Sequence, residues 1–562
     1  MMESEEDFLF QNDLQQLFSS NLESENWTIA YHSFKDSRQN GAFFSAFIPN
    51  KKALSVLQHY SWDLKIGGGC PGISVAERNG KEIIKYHHYT ENDNVQPIVL
   101  VRNFHNIRPQ YTEIQEEFRL YHNLYQDATK GKYIKIHDDG NEEDIILVED
   151  KIVQIRTKAL RQYAAIKDMS IALFVDSVRY SPIALEQIEG SQRHLENHND
   201  RMTYFVEIKD CTMSRSQERR TLSRFLGKWV IKALPKEKCG IWPSDQEEEK
   251  YESFIIGSDE DGDPITYSCD PDKLEGHFGA KPGAPHYLTL VYFRKEVLNK
   301  YYAQPQKYEV RDGQLYCGGL WCLRMDNDHS DYVVVYLGDL GGDLPESERT
   351  YWKAFNTHPL GGMSKTCYSR GILGQFAEPE SPDLRFKQQL SQFKEVWEKK
   401  HKWPLLLELD KGDQHLLTAL HLPTTDDQAE FDNQVLALTK ILVDSLNETE
   451  LAKRISRCPD GAKGIDKLEL FLRGSGNPSR QKVISFLRDL QALRSTGVGH
   501  RKGKKYEKIA QRFSIESKNL KKVFYEILID ATAVLSSLND EVENPDNSER
   551  DFALRLTTSK WQ

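Results

Sequence analysis

Ser479-Arg480-Gln481-Lys482-Val483-Ile484-Ser485-Phe486-Leu487-Arg488-Asp489-Leu490-Gln491-Ala492-Leu493-Arg494 decides how the C-terminal part of the chain folds. Val483, Phe486, Leu487, Leu490 and Leu493 recur at steps of three and four, the spacing that places side chains on one face of an α-helix. Upstream, Phe431, Val435, Leu438, Leu442 and Leu446 form a second such stripe. Asn447-Glu448-Thr449-Glu450 then reads as the end of that helix and the cap of the next. Downstream, from about Ser517 to Leu538, Leu520, Phe524, Ile527, Leu528, Ala531 and Leu535 give a third stripe. Helices with one apolar face each must bury it against one another, so residues 426–540 are predicted to form an all-helical bundle. The acid-rich residues 541–562 are expected to be a mobile tail.

Ahead of the bundle the pattern changes. Residues 181–425 read as a β-rich domain with a helical connector. Lys307 to Val310, Gln314 to Tyr316, Trp321 to Met325 and Tyr332 to Tyr336 are strand-like, and Gly- or Asp/Asn-rich turns separate them, which predicts a four-stranded meander. A helix carrying Trp352 and Phe355 follows, then another beginning near Phe386. Residues 1–180 read as a mixed α/β domain, with strands at Ile98 to Val101 and Ile145 to Val148 and a helix from Thr112 to Tyr125. The polar run after Ser181 marks the boundary between the two. The expected fold class is thus α+β and multidomain, ending in helices.

A chain of 562 residues exceeds one hydrophobic core, and its 39% hydrophobic and 28% charged residues are ordinary for globular proteins. Apolar runs such as Ile171 to Val175 fall far short of the roughly 18 residues of a membrane span. The acidic N-terminus lacks the pattern of an export signal, and eight thinly spread cysteines suit reduced thiols, so a cytoplasmic location is expected. Net charge is −11, which argues against coating nucleic acid over the whole surface. Between Arg480 and Lys522, however, 13 Lys or Arg face three acids, a local +10. A basic island in an acidic chain points to a localised polyanion site.

Inside that island lies Arg494-Ser495-Thr496-Gly497-Val498-Gly499-His500. Leu490 and Leu493 would fix the backbone at Arg494, and Gly497 and Gly499 would let the chain turn so that His500 faces the same way. Arg501, Lys502, Lys504, Lys505 and Lys508 disfavour an imidazolium among them, so His500 is expected to be neutral near pH 7. A neutral imidazole can take the proton of a ribose 2′-hydroxyl as that oxygen attacks phosphorus. A guanidinium can hold the phosphate oxygens in a fork and stabilise the charge that develops. The surrounding lysines would draw in the strand. The same spacing occurs at Arg193…His198, in a polar boundary loop, and at Arg324…His329, across a hairpin turn; neither has a packed helix behind it.

On these residues the bundle resembles the HEPN superfamily, whose ribonucleases carry Arg-x(4–6)-His with a polar residue often following the arginine, as Ser495 does. The resemblance spans roughly Asp426 to Asp540. It implies a helical domain that dimerises, metal-independent endoribonuclease activity without a cofactor, and a role in bacterial defence, toxin–antitoxin or CRISPR-linked systems; antiphage defence under a phage-derived or host activator is the expected setting. In that scheme Arg494 binds phosphate, His500 is general acid or base and Ser495 orients one of them. Arg501, Lys502, Lys504, Lys505 and Lys508 bind RNA. Bundles of this kind also occur as non-catalytic dimerisation or RNA- or partner-binding modules. The N-terminal part is similar to regions of uncharacterised bacterial proteins, most distinctively at Glu113 to Tyr125.

Other motifs read as structure. Asp259-Glu260-Asp261-Gly262-Asp263-Pro264 has proline where a calcium loop needs glycine, so a surface turn is expected. Cys317 and Cys322 have no second pair placed for zinc. Gly67-Gly68-Gly69 is not followed by Gly-Lys-Ser or Gly-Lys-Thr, and reads as a turn. His87-His88 would face opposite sides of a strand. Glu116, Glu117 and His122 read as a solvated helix face, and Trp352, Asn356, His358 and Pro359 as a satisfied core.

Overall fold

A computed structural model describes residues 5–58, 72–87, 95–211, 219–241, 249–276, 279, 281–359, 361–455, 458–473, 479–498, 504–515 and 520–543. The chain divides into two compact units: Met1–His137 with Asn141–Glu249, and Asp138–Gly140 with Lys250–Gln562.

The first unit is built on an antiparallel sheet, eleven-stranded among the described residues. At its centre Met169–Ser181 pairs on one side with Gln39–Pro49, from Met169 opposite Pro49 to Arg179 opposite Gln39, and on the other with Thr221–Ile231. Alternate residues go to opposite faces. Ile171, Leu173 and Val175 join a core with Leu9, Leu14 and Phe18 of the N-terminal helices and with Leu160 and Tyr163 of the helix Thr157–Lys167. Ala172 and Phe174 pack instead with Leu57 and Val230 on the other face.

This pairing corrects the expected boundary at 180. The sheet continues through Thr221–Ile231 and Met202–Asp210 to the edge strand His194–His198, so the unit runs on to Glu249. An edge strand meets water along one side and is polar for that reason, which makes it resemble a linker. The helix expected from Thr112 to Tyr125 is also shorter. Tyr111–Ile114 is a strand paired with Val99–Arg102, and only Glu116–Tyr121 is helical.

In the second unit, Leu290–Arg294 is the middle of a three-stranded sheet between Tyr332–Tyr336 and Asn356–Thr357. Tyr308–Arg311, Gln314–Cys317 and Trp321–Arg324 form a separate meander of three strands, so the fourth strand expected there belongs to another sheet. Trp352, fully buried, anchors the core between them, and its Nε1 donates to the Tyr301 hydroxyl at 2.6 Å.

The helices share one apolar cluster with Phe431, Val435, Leu487, Leu490, Phe524 and Leu528 at its centre. Asp427 caps Gln428–Thr439 by accepting from the amides of Ala429 and Glu430, and Asn447 caps Glu448–Lys453. The cluster also takes in Phe386, Phe393 and Trp397 of Pro382–His401, which packs along Leu520–Glu543. The bundle therefore starts near residue 382, not 426, and its last helix runs past 541. No helix among the described residues is long and apolar enough to cross a membrane.

Candidate functional site

The helix Ser479–Leu493 ends where its sequence stripe ends, with Leu490 and Leu493 buried to 0% and 1% exposure. The next five residues, Arg494–Val498, wind into a π-helical turn. A second π-helical turn, Lys440–Asp444, closes the helix Gln428–Thr439. Such wider turns displace side chains from the regular helical register and recur at functional positions. Here they bring Asp444 opposite Arg494. The guanidinium Nη1 lies 3.4 Å from Asp444 Oδ1 and Nη2 3.4 Å from Oδ2, a parallel fork of two long contacts. Both side chains are about one-third exposed, at 34% and 37%.

Ser495 is engaged at the helix end. Its hydroxyl donates to the Ala492 carbonyl at 3.1 Å, and Thr496 donates to the same oxygen at 2.7 Å. A hydroxyl that satisfies a helix-end carbonyl holds the turn, and Asp444 is the described group that holds the guanidinium. His500, Arg501 and Lys502 lie outside the described residues. Lys504 and Lys505 open the helix Lys504–Arg512, and Lys508 on that helix is exposed.

Part of the basic island is neutralised locally. Arg488 pairs with Asp466 at 3.0 Å and Glu469 at 2.7 Å, and Arg512 pairs with Asp489. Its field is therefore weaker than the count of basic residues suggests, and Arg494 stands out by geometry.

The two competing Arg…His pairs are structural. Arg193 donates to the carbonyls of Ile188 and Leu185. Arg324 contacts Asp339 at 3.3 Å, while His329 Nδ1 accepts from the amides of Asp331 and Tyr332.

No family model, curated protein or solved structure matches this chain. The site stands on its chemistry alone.

Of the remaining motifs, Asp259 accepts from the amides of Asp261 and Asp263, making the expected turn. Gly67-Gly68-Gly69 and His88 lie outside the described residues. His122 is not on a solvated face: it is 6% exposed, with Nε2 3.0 Å from the Ala159 carbonyl. Burial pulls its pKa down to about 4. Among the described residues no group of three or more His, Cys, Asp or Glu is arranged to hold a metal ion. One constellation has no signature in the sequence. Asp326-Asn327-Asp328, expected as a turn, lines a pocket of about 320 Å³ together with Asp312, Cys367 and Arg370.

Proposed function

We propose that the bundle is a HEPN-type, metal-independent endoribonuclease. The carrying observation is the partly exposed Arg494 guanidinium, held in a fork by Asp444 at a π-helical turn six residues before His500. A phosphate presents the same two-oxygen edge as the Asp444 carboxylate, so it would replace or share that partner. His500 would remove the 2′-hydroxyl proton. The 2′-oxygen would then bond to phosphorus and the 5′-oxygen would leave with a proton. The products are a 2′,3′-cyclic phosphate and a free 5′-hydroxyl, with no oxidant or metal required. Lys508 and its basic neighbours would attract the strand and make binding salt-dependent.

In this reading the protein works in the cytoplasm as a homodimer through the helical domain. The preceding domains restrain or target cleavage until a phage-derived or host activator arrives, as in antiphage defence.

The test is incubation of the full chain with end-labelled RNA in excess chelator. Cyclic-phosphate products that vanish in His500→Ala, with the far-ultraviolet circular dichroism unchanged, support the enzyme. RNA binding without products, in the presence of cell extract that could supply an activator, favours a non-catalytic binding module.

A further inference from the structure

We propose that the pocket around Asp326 is a binding site for a small primary amine with a short apolar body, anchored by the Asp326 carboxylate. The inference concerns a different part of the chain from Arg494 and stands whether or not the bundle cuts RNA.

The pocket holds about 320 Å³, enough for a small ligand. Its apolar lining comes from Leu290, Met325, Val334, Val335 and Met363. The charged groups around it are already engaged, with one exception. Asp312 pairs with Arg370 at 2.8 Å, and Arg324 with Asp339 at 3.3 Å. Asp328 accepts from the amides of Glu380 and Ser381 at 2.9 and 2.6 Å.

Asp326 is the exception. It is 4% exposed, its Oδ2 accepts from the Ser364 amide at 2.6 Å, and its Oδ1 is buried without a hydrogen-bond partner. Buried carboxylate oxygens are ordinarily satisfied, and one that is not calls for a donor. Its backbone is fixed by two bonds to Val334, so the carboxylate cannot leave the pocket wall to find water. Asp326 lines the pocket, and because the terminal torsion of an aspartate is soft, a small rotation would turn that oxygen toward an occupant's donor.

The Cys367 thiol, which also lines the pocket, is a poor donor for that oxygen. Burial, together with the field of Asp326, pushes the Cys367 thiol up to about 11, so it stays S–H and donates only weakly. A ligand ammonium supplies both the missing donor and the missing charge, and its short alkyl body covers the apolar walls. A carboxylate-bearing ligand would bring no donor to Asp326, and the two arginines of the lining, Arg324 and Arg370, are already paired with Asp339 and Asp312.

Isothermal titration of the full chain with isoamylamine near neutral pH tests this, with isovalerate and isoamyl alcohol as probes of the same body and a different head. The expected result is saturable amine binding at least tenfold tighter than either control. Asp326→Asn keeps the shape and an acceptor for the Ser364 amide, and should weaken amine binding at least tenfold. Met363→Trp, which fills the pocket from its partly exposed rim, should abolish binding of all three probes. If Asp326→Asn fails to fold, the head-group preference and Met363→Trp decide. Equal affinity for amine and alcohol, undiminished binding in Asp326→Asn, or no saturable binding by the wild-type chain overturns the proposal.

Discussion

Two carboxylates in the helical and β-rich second unit, Glu348 and Asp444, each hold a cation, and they could hardly be held more differently. Glu348 is 2% exposed. It accepts from Lys300 at 2.7 and 2.8 Å, from Tyr301 at 2.6 Å and from Tyr308 at 3.2 Å. Burial, and then the Glu348 charge, push the Tyr301 hydroxyl well above its usual range, so it remains a donor. Every lone pair is used and no ligand could enter. Asp444 meets Arg494 at 3.4 Å, with both side chains about one-third open to water. The first arrangement stabilises architecture. The second has little to lose when a different anion arrives, and that is what a binding site requires.

Mutations should separate the two. Glu348→Ala leaves a partly buried ammonium and two buried hydroxyls without their acceptor, and is expected to cost about 3 kcal/mol of unfolding free energy in urea titration. Arg494→Ala should leave that stability nearly unchanged and, in the proposed nuclease, lower cleavage by roughly 10²–10³, as removal of one charge-stabilising donor does elsewhere. A comparable stability loss at both positions would erase the contrast.

Acid gives a third, intermediate effect in the bundle. Burial favours the protonated Glu430 carboxyl, but hydrogen bonds from His421, Thr425 and the Thr424 and Thr425 amides outweigh it and bring the pKa down to about 2. A folded pKa below the unfolded one means stability fully present above the unfolded value and lost as pH falls toward 2. The amount is about 3 kcal/mol by linkage. Glu430→Gln should flatten the stability curve between about pH 4.5 and 2. His122 acts in the same sense at higher pH. Its neutral form is favoured on folding, so its contribution fades between about pH 6.5 and 4, which His122→Gln should remove from the pH profile.

The smallest effect sharpens the comparison most. Asp444→Asn removes a long, partly exposed ion pair and should change stability by no more than about 1 kcal/mol. In the proposed nuclease it should also strengthen RNA binding at low salt, because Arg494 loses its resident anion. The gain should shrink as salt rises, and filter binding across a salt series reads both effects.

How far each feature was legible follows from how local its cause is. Helix stripes are local: Leu487, Leu490 and Leu493 are buried as their spacing predicts. Partner choice between strands is not. Tyr332–Tyr336 is a short run of β-branched and aromatic residues, as a strand prefers, but nothing in that run selects Leu290–Arg294 over the adjacent Trp321–Arg324. Asp444 was visible only as a polar residue ending the run Ile441-Leu442-Val443, and Asp326 only as part of a turn.

The sequence by itself determined that the chain is mixed α and β, that it ends in amphipathic helices, and that Arg494 follows a packed helix inside a basic segment. Those depend on composition and on periods of two or about four residues, which neighbours along the chain fix. Tertiary structure alone decided that Pro382–His401 joins the bundle, that Asp444 faces Arg494, and that Asp326 is buried with an oxygen left over. Each of these joins residues far apart in sequence, and their meeting is set by how apolar faces from distant segments close on one another, which no local pattern records.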